Sequence, residues 1–298
     1  MWTRKPPDPV LFGMASTAAL PRIASTDHPA IVAALHEHGA VIATGLIDQA
    51  TCAAINSEVD ASVDIAPNTA EGINPLIAAF FGNAVKHVSS LTAVSPTFAN
   101  EVLTHPTYLA AGDEFLLPRC ASYVLNLAHL MVRGPGAEAQ IQHRDRDIFP
   151  YTAHEGGEEL LASIIALVDF TKDNGATGVV PGSHRWNPTR QATNDEIAYA
   201  EMRAGDAVIY LGSTIHFGGH NTTADQWRRG VHLSYCLGWL RTEENNYLGT
   251  PPSVAATLSP QAQALIGYSI HDAISVGGGY LGMVDMRNPL DMLADGTL

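Results

Sequence analysis

The spacing of apolar and polar residues divides the chain into a helix-rich first part and a strand-rich second part. Asp27-His28-Pro29 ahead of Ala30-Ile31-Val32-Ala33-Ala34-Leu35 predicts a helix capped by the Asp27 side chain, with proline in its first turn. Gly39 to Ala43 is a short apolar run that predicts a buried strand. Asp48 opens a second predicted helix reaching about Val59. Residues 62–90 carry Pro67, Gly72, Pro75 and Gly82 without a clear period. They are read as a long irregular stretch, of the kind that forms lids and binding loops.

From Cys120 the texture changes. Ala121 to Val132 is strand-like and ends at Gly134-Pro135-Gly136; Leu160 to Phe170 is apolar and ends at the turn signal Lys172-Asp173-Asn174-Gly175. Gly178-Val179-Val180, Asp206 to Leu211, and Gly230 to Trp239 complete the series. Strands punctuated by Gly and Pro, following N-terminal helices, predict a mainly β, double-sheet fold with flanking α-helices. No linker, charge block or repeat interrupts the chain, so residues 1–298 are expected to form a single domain. Its expected parts are a helical N-terminal part (about 1–118), a β core (about 119–245) and a C-terminal extension (246–298).

Composition narrows the function classes. With 46% hydrophobic and 15% charged residues there is material for one large core. A net charge of −14 argues against a nucleic-acid partner. Cys52, Cys120 and Cys236 are odd in number and widely spaced, which predicts neither a disulfide framework nor a cysteine zinc site, and fits a reducing compartment. The Met1–Pro7 start lacks an apolar signal core, and no apolar run reaches the roughly 18 residues of a membrane span. A cytoplasmic protein with no membrane partner is the expectation.

Candidate chemistry begins at Gln140-Ile141-Gln142-His143-Arg144-Asp145, with His216 lying 73 residues after His143 (216 − 143). Two imidazoles and a carboxylate on one face of a metal suit Fe(II) and leave open positions where a cosubstrate and dioxygen can meet, although the same donors also hold zinc. With 13 His and 30 acidic residues, about one His-x-Asp/Glu match is expected by chance, so the pair gains weight only from its surroundings. His220 competes with His216 as the distal ligand. Arg228 and Arg229 offer a cation for a carboxylate-bearing cosubstrate, and in a strand only one of them can face a pocket. Glu155, Glu158 and Glu159, in a Gly-rich acidic loop, read as solvated surface. No phosphate-binding loop, Gly-x-Ser-x-Gly or His-Glu-x-x-His is present. Tyr123, Phe149, Tyr151 and Phe217 are candidate walls for an apolar substrate, each equally readable as core.

These blocks are ordered along the chain with Asp169 to Thr177, Pro181-Gly182-Ser183-His184-Arg185-Trp186, Gly205 to His216, Trp227 to Gly230, Ser234 to Asn245, Gly267 to His271 and Leu281 to Asp285. Together they resemble the phytanoyl-CoA hydroxylase-like dioxygenases, and within them the fungal branch that tailors meroterpenoids and indole alkaloids. The resemblance covers roughly residues 80–290. It implies a double-stranded β-helix (jelly roll, cupin-like) and an Fe(II)- and 2-oxoglutarate-dependent reaction with O2. It implies His143, Asp145 and His216 as iron ligands, Arg228 for the far carboxylate of 2-oxoglutarate, and Gln140 and Thr177 as further cosubstrate contacts. His184 reads as a structural turn residue. Retention of Asp145, which halogenating relatives replace with a small residue, favours oxygenation or desaturation. The implied substrate is a bulky, mostly apolar natural product free of coenzyme A, and the implied assembly is a homodimer; residues 62–80 and the region around 150–158 are the candidate lids. The competing expectations are a non-catalytic jelly-roll binding protein and a cupin-like metalloenzyme that needs no 2-oxoglutarate.

Overall fold

The computed structural model describes residues 18–69, 75–152 and 156–298. Met1–Pro7, Glu155 and parts of both expected lids lie outside them. Among the described residues, ten strands build two facing sheets: β1 (Arg22–Ala24), β2 (Ala40–Thr44), β3 (Val85–Val88), β4 (Tyr123–Arg133), β5 (Leu160–Ala166), β6 (Gly178–Val179), β7 (Ala198–Tyr199), β8 (Ala207–Leu211), β9 (His216–Phe217) and β10 (Arg228–Leu237). The main sheet runs β1-β2-β8-β5-β10-β4-β3, antiparallel except where β1 meets β2, and the smaller sheet runs β7-β6-β9. This is the jelly-roll arrangement. Three strands of the main sheet, β1 to β3, come from the helix-rich stretch before residue 119, and of these the apolar pattern predicts β2.

The two faces of the main sheet do different work. On the outer face, Val41, Leu161, Ile165, Ile209, Val231 and Leu233 pack under helices α1 (His28–His38) and α2 (Gln49–Ile65) and the helix Pro106–Phe115, forming the larger core. On the inner face, Ile42, Ala162, Ile164, Val208 and Tyr210 meet Val179, Ala176 and Phe170 in a second core. Because both faces are covered, β5 and β8 are buried at every position, which is why they read as unbroken apolar runs.

The helix starts agree with their caps: Asp27 accepts from Ala30 N at 3.2 Å, and Asp48 accepts from Thr51 N at 2.8 Å. Helix α2 continues to Ile65, past the expected end, because its buried stripe extends from Cys52 through Ile55 and Val59 to Val63. The stretch read as irregular is also more ordered than its sequence predicts, holding helix α3 (Pro75–Phe81) and strand β3. On β4, Asn126 is skipped in the pairing with β10, where Ser234 faces Leu127 and Tyr235 faces Leu125. This bulge shifts the alternation by one, so that Leu127, His129, Met131 and Arg133 point inward.

Candidate active site

A cavity of about 370 Å³ opens between the inner faces of β4, β5, β8 and β10 and the segments 140–148 and 216–218. His143 is fixed by a two-bond bridge to His216: His143 N donates to His216 O at 3.1 Å and His216 N to His143 O at 3.0 Å. Asp145 follows at the start of a short 3-10 turn. One ligand atom from each of His143, Asp145 and His216 falls within 4.8 Å of the others. Asp145 Oδ1 lies 3.3 Å from His216 Nε2 and 3.6 Å from His143 Nε2.

The tautomers are set by the backbone. His143 Nδ1 donates to Ile141 O at 2.8 Å and His216 Nδ1 donates to Thr214 O at 3.2 Å. A carbonyl only accepts, so each Nδ1 carries the proton and each Nε2 turns a lone pair to the same point. Asp145 Oδ2 is buried without a hydrogen-bond partner, and His232 Nε2 faces it at 3.6 Å. Burial works to raise the Asp145 carboxyl, but His216 and then His232 outweigh it and hold it well below its ordinary value. Burial also pulls His216 down, and Asp145 more than reverses this, leaving it raised. His143 is held down to about 4 by burial and then by the charge of His216. A half-buried carboxylate and two oriented imidazoles, one carboxylate oxygen buried without a hydrogen-bond partner, match a divalent cation of the Fe(II) or zinc type.

The acidic loop contradicts its reading as solvated surface. Glu158 and Glu159 are buried. Glu158 accepts from Ser213 N at 3.1 Å and from the Ser213 hydroxyl, and Glu159 pairs with Arg119. The Glu158 bonds anchor the Gly212-Ser213-Thr214 run that leads into His216. His220, the competing ligand, is outside the cluster of three.

Arg228 and Arg229 point to opposite sides. Arg228 is buried in the cavity wall, donates from Nη1 to Gly175 O at 2.7 Å and stacks 4.3 Å over Phe170. Gly175 is in the predicted turn, at φ +88°, a conformation glycine adopts without strain. Gly230 leaves the space Arg228 needs: a Cβ there would lie 2.8 Å from the Phe170 ring and 3.3 Å from Arg228 Nη2. Arg229 instead pairs with Asp60 at 2.6 Å on the outer face. Gln140 and Thr177 line the cavity, and Gln140 Oε1 accepts from Gly218 N at 2.7 Å.

None of the four aromatics proposed as substrate walls lines this cavity. Tyr123 packs in the outer core beside Tyr235, Phe149 packs on the inner core, Phe217 lies over Gly178 and Tyr151 is fully exposed. The apolar wall comes from Phe80 and Phe81 on α3, with Leu127, Met131 and Ile148; Phe80 meets the His143 ring edge-on at 4.8 Å. His184 is a turn residue, packed against Gly39 and bonded to His36 O at 3.3 Å. Sequence reasoning also passes over His129, Arg133, Tyr210, His232 and Glu243, all of which line the cavity. His129 and His232 carry a usable signal, since each interrupts an apolar run within its strand, whereas Arg133 ends its strand at the turn.

His87, beside His129, gives a pH prediction. Burial, then the nearby Arg133 charge, lowers it from 6.5 to about 4. The unfolded chain therefore binds a proton that the folded chain refuses, and stability from this residue is complete above pH 6.5 and is lost as pH falls towards 4. Unfolding free energies of the metal-free protein from urea titration are expected to fall across that window, by on the order of 2–3 kcal/mol from His87. In His87→Gln the slope should be shallower; an unchanged slope would contradict the assignment.

Comparison with known proteins agrees with this geometry. The sequence profile of the family described as Phytanoyl-CoA dioxygenase (PhyH) matches residues 35–230. The chain is 34% identical over 244 residues to the dioxygenase aneA of Aspergillus aculeatus, covering 80% of this chain and 82% of that protein. It is 32% identical over 238 residues to the dioxygenase trt7 of Aspergillus terreus, covering 78% of this chain and 82% of that protein. Among solved structures, the epimerase SnoN in complex with Fe3+, alpha ketoglutarate and nogalamycin RO shares the fold with a TM-score of 0.55 at 21% identity, over 72% of this chain and 84% of that one.

Proposed function

Because this chain belongs to the phytanoyl-CoA dioxygenase family, we propose that its cavity is the active site of a dioxygenase that oxidises a bulky, mostly apolar natural product in secondary-metabolite biosynthesis. The protein is an oxidoreductase that uses Fe(II), 2-oxoglutarate and O2 on a small molecule. The observation that carries the reading is one cavity holding both the His143–Asp145–His216 cluster and Arg228, a buried guanidinium with no acidic partner among the described residues. A metal site without 2-oxoglutarate would leave that arginine unexplained, and so would a binding protein.

In this reading His143 Nε2, His216 Nε2 and the Asp145 carboxylate hold the iron, and their second atoms fix the geometry: both Nδ1 groups on carbonyls, Oδ2 facing His232. Iron, when bound, supplies the activation of dioxygen coupled to 2-oxoglutarate decarboxylation. Arg228 receives the far carboxylate of the cosubstrate through a planar fork that lysine does not offer, and Gln140 and Thr177 complete that wall. Tyr210, fully buried with its ring 4.3 Å from that of His216, keeps the ligand from turning. Phe80, Phe81, Leu127, Met131 and Ile148 exclude water and press an apolar skeleton towards the metal. Glu243, one oxygen held by Asn126 Nδ2 at 2.8 Å, faces the same cavity as an acceptor for a substrate donor group. The reaction is hydroxylation, desaturation, epoxidation or rearrangement according to which carbon the pose presents. The working form is a cytoplasmic homodimer, with helix α3, which carries Phe80 and Phe81 in the cavity wall, as the lid over the substrate.

Free meroterpenoids and indole alkaloids are expected to stimulate succinate formation by the iron-loaded enzyme and to gain one oxygen or lose two hydrogens by mass spectrometry. Stimulation by phytanoyl-CoA, and by no compound of the free panel, would overturn the substrate assignment.

A further inference from the structure

The antiparallel register of β4 and β10 sets Arg228 directly opposite Arg133. Both side chains reach the same cavity, and they are 1% and 2% exposed. Like charges placed opposite each other across a sheet are destabilising, and burial removes the water that would screen them. Yet neither guanidinium has a carboxylate within 4.0 Å among the described residues. Their donors are scarcely used. Arg133 gives Nη2 to Glu138 O, Arg228 gives Nη1 to Gly175 O, and the Nε of each is buried without a partner. Burial lowers Arg133 to about 10, and burial together with Arg133 lowers Arg228 to about 9, so both still carry their charge at neutral pH.

Space is kept open beside them. A Cβ on Gly218 would lie 2.8 Å from Gln140 Oε1 and 3.0 Å from Arg133 Nη1, so glycine there lets both reach the same wall. Two buried cations with spare, forked donors demand an anion with several acceptor oxygens. A carboxylate offers about four acceptor sites, more than one fork fills.

We propose that Arg133 is a second guanidinium for the far carboxylate of 2-oxoglutarate, and that the Arg133–Arg228 pair selects a dicarboxylate over a monocarboxylate 2-oxo acid. This rests on the reading of the cavity as a 2-oxoglutarate site. The competing role for Arg133 is structural, as a staple that holds the 134–140 turn through Glu138 O.

Binding of 2-oxoglutarate and of 2-oxopentanoate, which has a methyl group in place of the far carboxylate, separates the two. Both are titrated calorimetrically into the Fe(II)-loaded protein without oxygen. The wild type is expected to prefer 2-oxoglutarate. Arg133→Gln should weaken 2-oxoglutarate roughly tenfold to a hundredfold while leaving 2-oxopentanoate within about twofold, because only charge-assisted bonds to the far carboxylate are lost. Arg133→Lys, which keeps the charge without the fork, should fall between and serves if the glutamine variant does not fold. Equal weakening of both acids would make Arg133 a staple, and unchanged 2-oxoglutarate binding would remove it from the site; either overturns this inference alone. A wild type that does not bind 2-oxoglutarate would overturn the underlying reading as well.

Discussion

His216→Ala is expected to abolish turnover, with a loss on the order of a thousandfold or more and a matching loss of iron on dialysis. Replacing even a group that only orients a ligand costs roughly ten- to a hundredfold in metal affinity or activity, and His216 is in direct contact with the donor cluster. Two effects add. The vacated position leaves only His143 and Asp145, and Asp145 loses the neighbour that does most to hold its carboxyl low. His220→Ala is the control: four residues on and outside the cluster, it should keep near wild-type activity. Metal content by mass spectrometry, measured beside the activity of both variants, decides this. Full iron retention in His216→Ala, or inactivation by His220→Ala alone, would sink the assignment of the distal ligand.

The second large effect falls on Arg228. Arg228→Ala should raise the half-saturating 2-oxoglutarate concentration roughly 30-fold or more, since truncating one partner of a buried, hydrogen-bonded charge pair costs about 2–5 kcal/mol. Arg228→Lys should recover little of this, because an ammonium lacks the planar fork and Gly175 O would lose its donor. Arg229→Ala should change stability slightly and cosubstrate affinity hardly at all, as its partner is the half-exposed Asp60 on the other face. Steady-state kinetics with varied 2-oxoglutarate reads all three. Equal effects at 228 and 229 would contradict the placement of the two side chains.

What the sequence made legible followed from local rules. Capping carboxylates at Asp27 and Asp48 mark helix starts, unbroken apolar runs mark strands covered on both faces, and Lys172–Gly175 marks the turn that brings a carbonyl to Arg228. Strand alternation lets only one of Arg228 and Arg229 face the cavity, the family resemblance points to Arg228, and the structure separates the two side chains in that way. What stayed hidden depends on register and long-range contact. The bulge at Asn126 decides that His129, Met131 and Arg133 face inward, and nothing near Asn126 in sequence announces it. Glu158 and Glu159 look solvated because their partners, Ser213 and Arg119, are 55 and 40 residues away. The sequence offers Tyr123, Phe149, Tyr151 and Phe217 as apolar walls, but the aromatic side chains that line the cavity beside its histidines are Phe80 and Phe81, from a segment whose prolines and glycines mask a short helix.

In the proposed reading, one cavity couples a metal held by His143, Asp145 and His216 to 2-oxoglutarate. Succinate release from 2-oxoglutarate, followed together with oxygen uptake, tests it most directly. The account predicts succinate formation that requires added Fe(II), 2-oxoglutarate and O2 together and disappears in His216→Ala. Oxidation of substrate that continues undiminished without iron or without 2-oxoglutarate would contradict it.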